Sequence, residues 1–97
     1  MRDAVANKVR TVVAEIFGVD ASDIKPETLL RAGDLGFGWR KLYRIASELE
    51  HTYGIQFDIG AADRWTTVTD VILATEEAIA RTAAAIAAGR AQRGEAA

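Results

Sequence analysis

The chain has 97 residues, 49% of them hydrophobic and 27% charged, with a formal net charge of −2 and a pI near 5.3. That length holds one small domain burying roughly 60–70% of the surface exposed by its unfolded form. The mild acidity excludes generic nucleic-acid affinity, which needs clustered Lys and Arg; the absence of Cys and the lone His51 exclude disulfides, thiolate nucleophiles and a self-contained metal cluster.

No apolar run approaches the ~20 residues of a membrane span. Met1-Arg2-Asp3 leads into an amphipathic pattern and not into a secretory leader, so a soluble cytoplasmic protein without membrane partners is expected. Val5, Val9, Val12, Val13, Ile16 and Phe17 recur at three- and four-residue spacing, which predicts an amphipathic helix over about residues 2–17. Gly18 follows the last apolar pair, where a left-handed residue stops a helix.

A long connection then runs from Val19 to Gly38 and holds Asp20, Ser22, Asp23, Pro26, Thr28, Gly33 and Gly36, all turn formers. A segment of this length inside a small domain must be pinned by its apolar residues. Val19, Ile24, Leu29, Leu30, Leu35 and Phe37 are the candidates.

The second helix places Leu42, Ile45, Ala46, Leu49 and Tyr53 on one stripe and Arg40, Tyr43, Arg44, Ser47 and His51 on another. One stripe is core and the other faces out. Gly54 ends the helix, Ile55-Gln56-Phe57 reads as an apolar anchor, and Ala61–Trp65 as a single helical turn. Thr67 followed by Asp70 makes a capping-box-like start for a last helix near Val68, with a stripe through Val71, Ile72, Thr75, Ile79 and Ile86. Past about Ala80 the chain is mostly Ala with scattered Arg, helical by propensity, and Gly89 and Gly94 predict fraying into a disordered end.

The stretch Asp34-Leu35-Gly36-Phe37-Gly38-Trp39-Arg40-Lys41-Leu42, continued to Tyr53-Gly54-Ile55, resembles the signature of the acyl carrier proteins. In that family the turn reads Asp-Leu-Gly, a variable residue, then Asp-Ser-Leu, and the Ser carries phosphopantetheine. Here the last three are Gly38, Trp39 and Arg40. A second match is the order Val19, Asp23-Ile24, Pro26, Thr28, Leu30, which resembles the family's first loop. The resemblance covers about residues 5–80. It implies an all-α, four-helix bundle with a long first loop and a short third helix over residues 1–80, and an Ala-rich helical extension with a disordered tail over 81–97.

An indole has no hydroxyl to esterify, so no phosphopantetheine is expected, and the only serines, Ser22 and Ser47, do not open a helix after Asp-Leu-Gly. Three consecutive positions differ from Asp-Ser-Leu, which favours natural divergence over a deliberate single change. Trp39 is either core or an exposed anchor. Its outward neighbours Arg40, Tyr43 and Arg44 favour the anchor, because Trp, Tyr and Arg are enriched at binding hot spots. Arg40 and Lys41 also stand in the first helical turn, where the helix dipole disfavours cations by about 0.3–1 kcal/mol each. The family's corresponding strip is usually acidic and docks on basic enzyme surfaces, so the usual partners are expected to be lost by charge mismatch. Gly38 is an adequate cap, and Trp65 is expected to fill space where the family lines an acyl cavity.

His51, Glu48 and Glu50 lie on neighbouring turns of one helix without a nucleophile or phosphate loop, so no catalysis is expected. The resemblance and the altered residues together imply a degenerate carrier-like domain, not an enzyme, that binds a protein through Trp39, Arg40, Tyr43, Arg44, Ser47 and His51. Its partner would be a biosynthetic enzyme with an acidic surface and an apolar notch. The alternatives are a conventional acyl carrier of fatty-acid, polyketide or related biosynthesis whose serine is missing from this sequence, and an oligomerisation domain built on Ile72, Ile79 and Ile86.

Overall fold

Helices α1 (Arg2–Phe17), α2 (Trp39–Tyr53) and α3 (Val68–Gln92) carry the chain, with 3-10 turns at Ala21–Asp23 and Ala62–Arg64. The computed structural model describes residues 2–30 and 39–92, of which 2, 3, 39 and 90–92 are described by their backbone alone. Helix α1 packs against both α2 and α3. The apolar periodicity accounts for the contacts: Val9, Val12 and Val13 of α1 meet Leu42, Ile45 and Leu49 of α2 and Val68 and Val71 of α3 in one buried cluster. Val5, Ile16 and Phe17 complete the α1 stripe as half-buried side chains against that cluster.

Two glycines end helices as the sequence predicts. Gly18 (φ 73°) lets the Val19 N–H turn back to the Ala14 carbonyl at 3.0 Å, and Gly54 (φ 63°) lets the Ile55 N–H reach the Glu50 carbonyl at 3.2 Å. A side chain other than Gly would be strained at either position.

The first loop is pinned along its described part by Ile24, Thr28 and Leu30, all buried. Val19 and Leu29 do not serve as core, since each leaves more than a third of its surface exposed. The loop instead straps onto the start of α3. The Leu30 N–H donates to the Thr66 carbonyl at 2.8 Å, the Val68 N–H to the Thr28 carbonyl at 3.1 Å and the Thr69 N–H to the Pro26 carbonyl at 2.9 Å. One isolated antiparallel bridge pairs Leu29 with Thr67. Leu35 and Phe37 lie outside the described residues.

The expected four-helix bundle takes the form of three α-helices and two 3-10 turns among the described residues. The short third helix predicted at Ala61–Trp65 is the 3-10 turn Ala62–Arg64, built from successive three-residue hydrogen bonds: Asp63 N–H to the Gly60 carbonyl, Arg64 N–H to Ala61 and Trp65 N–H to Ala62. Burial explains the tightening. Ala61, Ala62 and Trp65 are all buried and must face the core within one short turn, while Gly60 (φ 80°) reverses the chain just before them. The tighter helix brings residues three apart onto one side.

Helix α3 runs through Gly89 to Gln92. One Gly costs about 1 kcal/mol relative to Ala, and the alanines on either side favour the helix enough to offset it. Residues 93–97, including Gly94, lie outside the described residues. Among the described residues no helix is long and apolar enough to cross a membrane.

Candidate functional site

Helix α2 divides its residues between two faces. Leu42, Ile45 and Leu49 are fully buried, with Ala46 and Tyr53 half-buried beside them. Desolvation raises the Tyr53 hydroxyl above its ordinary pKa, so the ring stays neutral and acts mainly as apolar surface. On the other face Arg40, Arg44, Ser47 and His51 recur at spacings of four, three and four and are all exposed. That spacing keeps them within one stripe along the helix.

Tyr43 stands at the edge of this stripe and remains 43% exposed. Its hydroxyl donates to the Asp63 carboxylate, at 2.8 Å to Oδ1 and 3.0 Å to Oδ2, which ties α2 to the 3-10 turn at Ala62–Arg64. Tyr43 is thus positioned by a partner twenty residues away, which no local pattern in the sequence announces. Lys41 is likewise engaged: its Nζ lies 5.0 Å from the centroid of the Phe17 ring at the end of α1. A cation over an aromatic face at a partly exposed site contributes about 0.5–1 kcal/mol, enough to balance its poor position near the helix dipole.

With Lys41 turned to α1, the outward positive charge rests on Arg40 and Arg44. The first turn of α2 holds no acidic residue to offset it. Arg44 lines two shallow depressions. One of about 320 Å³ is shared with Tyr43, Ser47 and Glu48. The other, of about 250 Å³, opens toward α1, where Val12 and Ile16 supply apolar lining and Glu15 and Glu48 acidic rims. The strip is therefore basic at its leading end and mixed from Glu48 onward. His51, at the last turn, is carried by about 18 Å of helix from Trp39 and does not converge with the leading end.

Trp39 is the first residue of α2; its side chain, and Asp34–Gly38 before it, lie outside the described residues. Ser47 is exposed two turns further along the same helix, and Ser22 lies in the 3-10 turn Ala21–Asp23.

Behind α2 a cavity of about 410 Å³ opens between Tyr43, Ala46, Ser47 and Glu50 and the segment from Gln56 to Asp63. Trp65 is only 3% exposed, and its ring meets Phe57 edge to face with centroids 5.2 Å apart. Glu50 is engaged in structure, since its carboxylate accepts the Phe57 N–H at 2.9 Å. Among the described residues no group of three His, Asp or Glu side chains gathers in a way that could hold a metal ion.

A family model described as "Phosphopantetheine attachment site" matches residues 7–74. The acyl carrier protein of Rubrobacter xylanophilus is 30% identical over 71 residues, covering 73% of this chain and 86% of that protein. That of Thermotoga maritima is 28% identical over 71 residues, with the same coverage of each chain. The helices, the strapped first loop and these matches agree: the chain belongs to the acyl carrier protein family, the family of the phosphopantetheine attachment site.

Proposed function

We propose that this chain is a degenerate member of its family, without an attachment serine, that acts as a non-catalytic interaction module through α2. The observation that carries the reading is the opening of α2, where Trp39 holds the first helical position and exposed Arg40 and Arg44 follow on the outward face.

Arg40, Tyr43 and Arg44, with Trp39 at the helix start and Ser47 and His51 further along, form the binding strip. Residues 1–80 are the module and 81–97 an addition to it. The chemistry of the strip selects a protein partner, a biosynthetic enzyme of the cytoplasm, that offers carboxylates to the two guanidinium groups and an apolar notch to the aromatic rings. Charge of this sign repels the basic surfaces that suit an acidic carrier. The family match over residues 7–74 favours a second reading, a conventional carrier whose serine is missing from this sequence.

Replacing Arg40 and Arg44 together with Glu tests the module. A partner captured on the wild-type chain, identified and then titrated, should bind the double variant at least tenfold more weakly, a loss of about 1.4 kcal/mol or more. Trp39→Ala should weaken binding in the same way. Equal affinity for wild type, the Arg-to-Glu pair and Trp39→Ala would remove the strip from consideration.

A further inference from the structure

Among the described residues nothing forms a covering layer over the second half of α3. Every residue from Ala83 to Ala88 is exposed, and Ile86 leaves 51% of its surface open. The earlier part of the same stripe is partly covered by the bundle, since Ile72, Glu76 and Ile79 are each of intermediate burial. Ile72, Glu76, Ile79, Ala83, Ile86 and Arg90 follow one another at spacings of four, three, four, three and four. Such alternation keeps a seam on one side of a helix and is the pattern by which two helices pack along each other. The aliphatic members recur every seven residues, with Ala83 between two of them.

We propose that this seam pairs with the same seam of a second copy, antiparallel and centred on Ala83. The charges select that arrangement. Acidic Asp70, Glu76 and Glu77 belong to the first half of α3, and basic Arg81 and Arg90 to the second. Parallel pairing would bring Glu76 beside Glu76 and Arg90 beside Arg90. Antiparallel pairing about Ala83 brings Glu76 of one copy to the level of Arg90 in the other and Ile79 beside Ile86, twice over by the two-fold symmetry. The small side chain at the centre lets the two helices approach closely. The bundle holds α3 as far as its middle, where Arg81 Nη1 lies 3.3 Å from the Asp58 carboxylate. This surface belongs to α3, so it is independent of the α2 strip.

The seam is short. It covers far less than the roughly 1,200 Å² of a stable complex, so the pair is a weak dimer in exchange with monomer and is populated at high protein concentration. Sedimentation of the full chain from about ten micromolar to about one millimolar, spanning the range of weak association, should show the average mass climbing from one chain toward two. Ile86→Glu should hold it at one chain, with helicity by circular dichroism unchanged. Arg90→Glu should weaken association several-fold, and Glu76→Arg combined with Arg90→Glu should restore it. A mass of one chain at every concentration would overturn the pairing and leave the helix to a different protein. Undiminished association of Ile86→Glu would overturn the seam, and failure of the double exchange to restore association would overturn the antiparallel register.

Discussion

Two helix starts in this small bundle are built to opposite standards. At the start of α3 the Asp70 carboxylate accepts the N–H groups of Thr66 and Thr67 at 2.8 and 3.0 Å, while the Asp70 N–H approaches the Thr67 hydroxyl at 3.4 Å. The acid also suits the positive end of the helix dipole, and three backbone bonds from the first loop fasten the same turn. The start of α2 reads Trp39-Arg40-Lys41, with no acid in its first turn and two cations where the dipole opposes them. Local rules broken without compensation concentrate at functional sites, and here one of the two cations is already compensated by Phe17. Arg40 and Arg44 are the exposed cations of the outward face. The contrast teaches that the α3 start is secured by local capping and by the first loop, while the first turn of α2 carries charges that its own dipole disfavours.

The strapped end is where substitution should cost most. Leu30 is fully buried and its N–H bonds to Thr66, so Leu30→Ala should destabilise by about 2–5 kcal/mol, read as a lower urea midpoint. Asp70→Ala removes the acceptor of two N–H groups and should cost about 1 kcal/mol in the same measurement. A cost near zero would break the comparison, since the α3 start would then be no better secured than that of α2.

The α2 start should respond weakly. Glu at position 40 suits the dipole by about 0.3–1 kcal/mol, while Glu at position 44 faces Glu48 one turn on and costs about 0.2–0.5 kcal/mol. The Arg40→Glu, Arg44→Glu pair should therefore hold the thermal midpoint or raise it slightly. A clear loss of stability would show that the arginines serve the fold.

Most of the bundle was legible in the sequence because its information is local and periodic. The apolar repeat and Gly18 bounded α1, Gly54 ended α2, and Thr67 with Asp70 marked the start of α3. The outward stripe of Arg40, Arg44, Ser47 and His51 was legible for the same reason, helical spacing. What escaped depends on residues distant in sequence. The hydrogen bond from Tyr43 to Asp63, the Lys41 contact with Phe17 and the Arg81–Asp58 ion pair join positions twenty or more residues apart, and no periodicity encodes them. The 3-10 turn at Ala62–Arg64 was read as a helical turn because composition does not distinguish the two, and burial of Ala61, Ala62 and Trp65 decides.

A smaller effect sharpens the role of charge. On the proposed reading, Trp39→Ser supplies a hydroxyl at the helix start yet keeps the cations Arg40 and Arg44 beside it, so its conversion by a phosphopantetheinyl transferase should be slow and incomplete by intact mass. Rapid full conversion of that single variant would show that the basic strip does not exclude the enzyme.

The central claim is tested most directly on the unaltered chain, by intact mass spectrometry after incubation with coenzyme A and a promiscuous phosphopantetheinyl transferase, beside a serine-bearing acyl carrier protein as control. The account predicts an unchanged mass for this chain over the time in which the control is fully converted. A gain equal to one phosphopantetheine, on any residue, would contradict it.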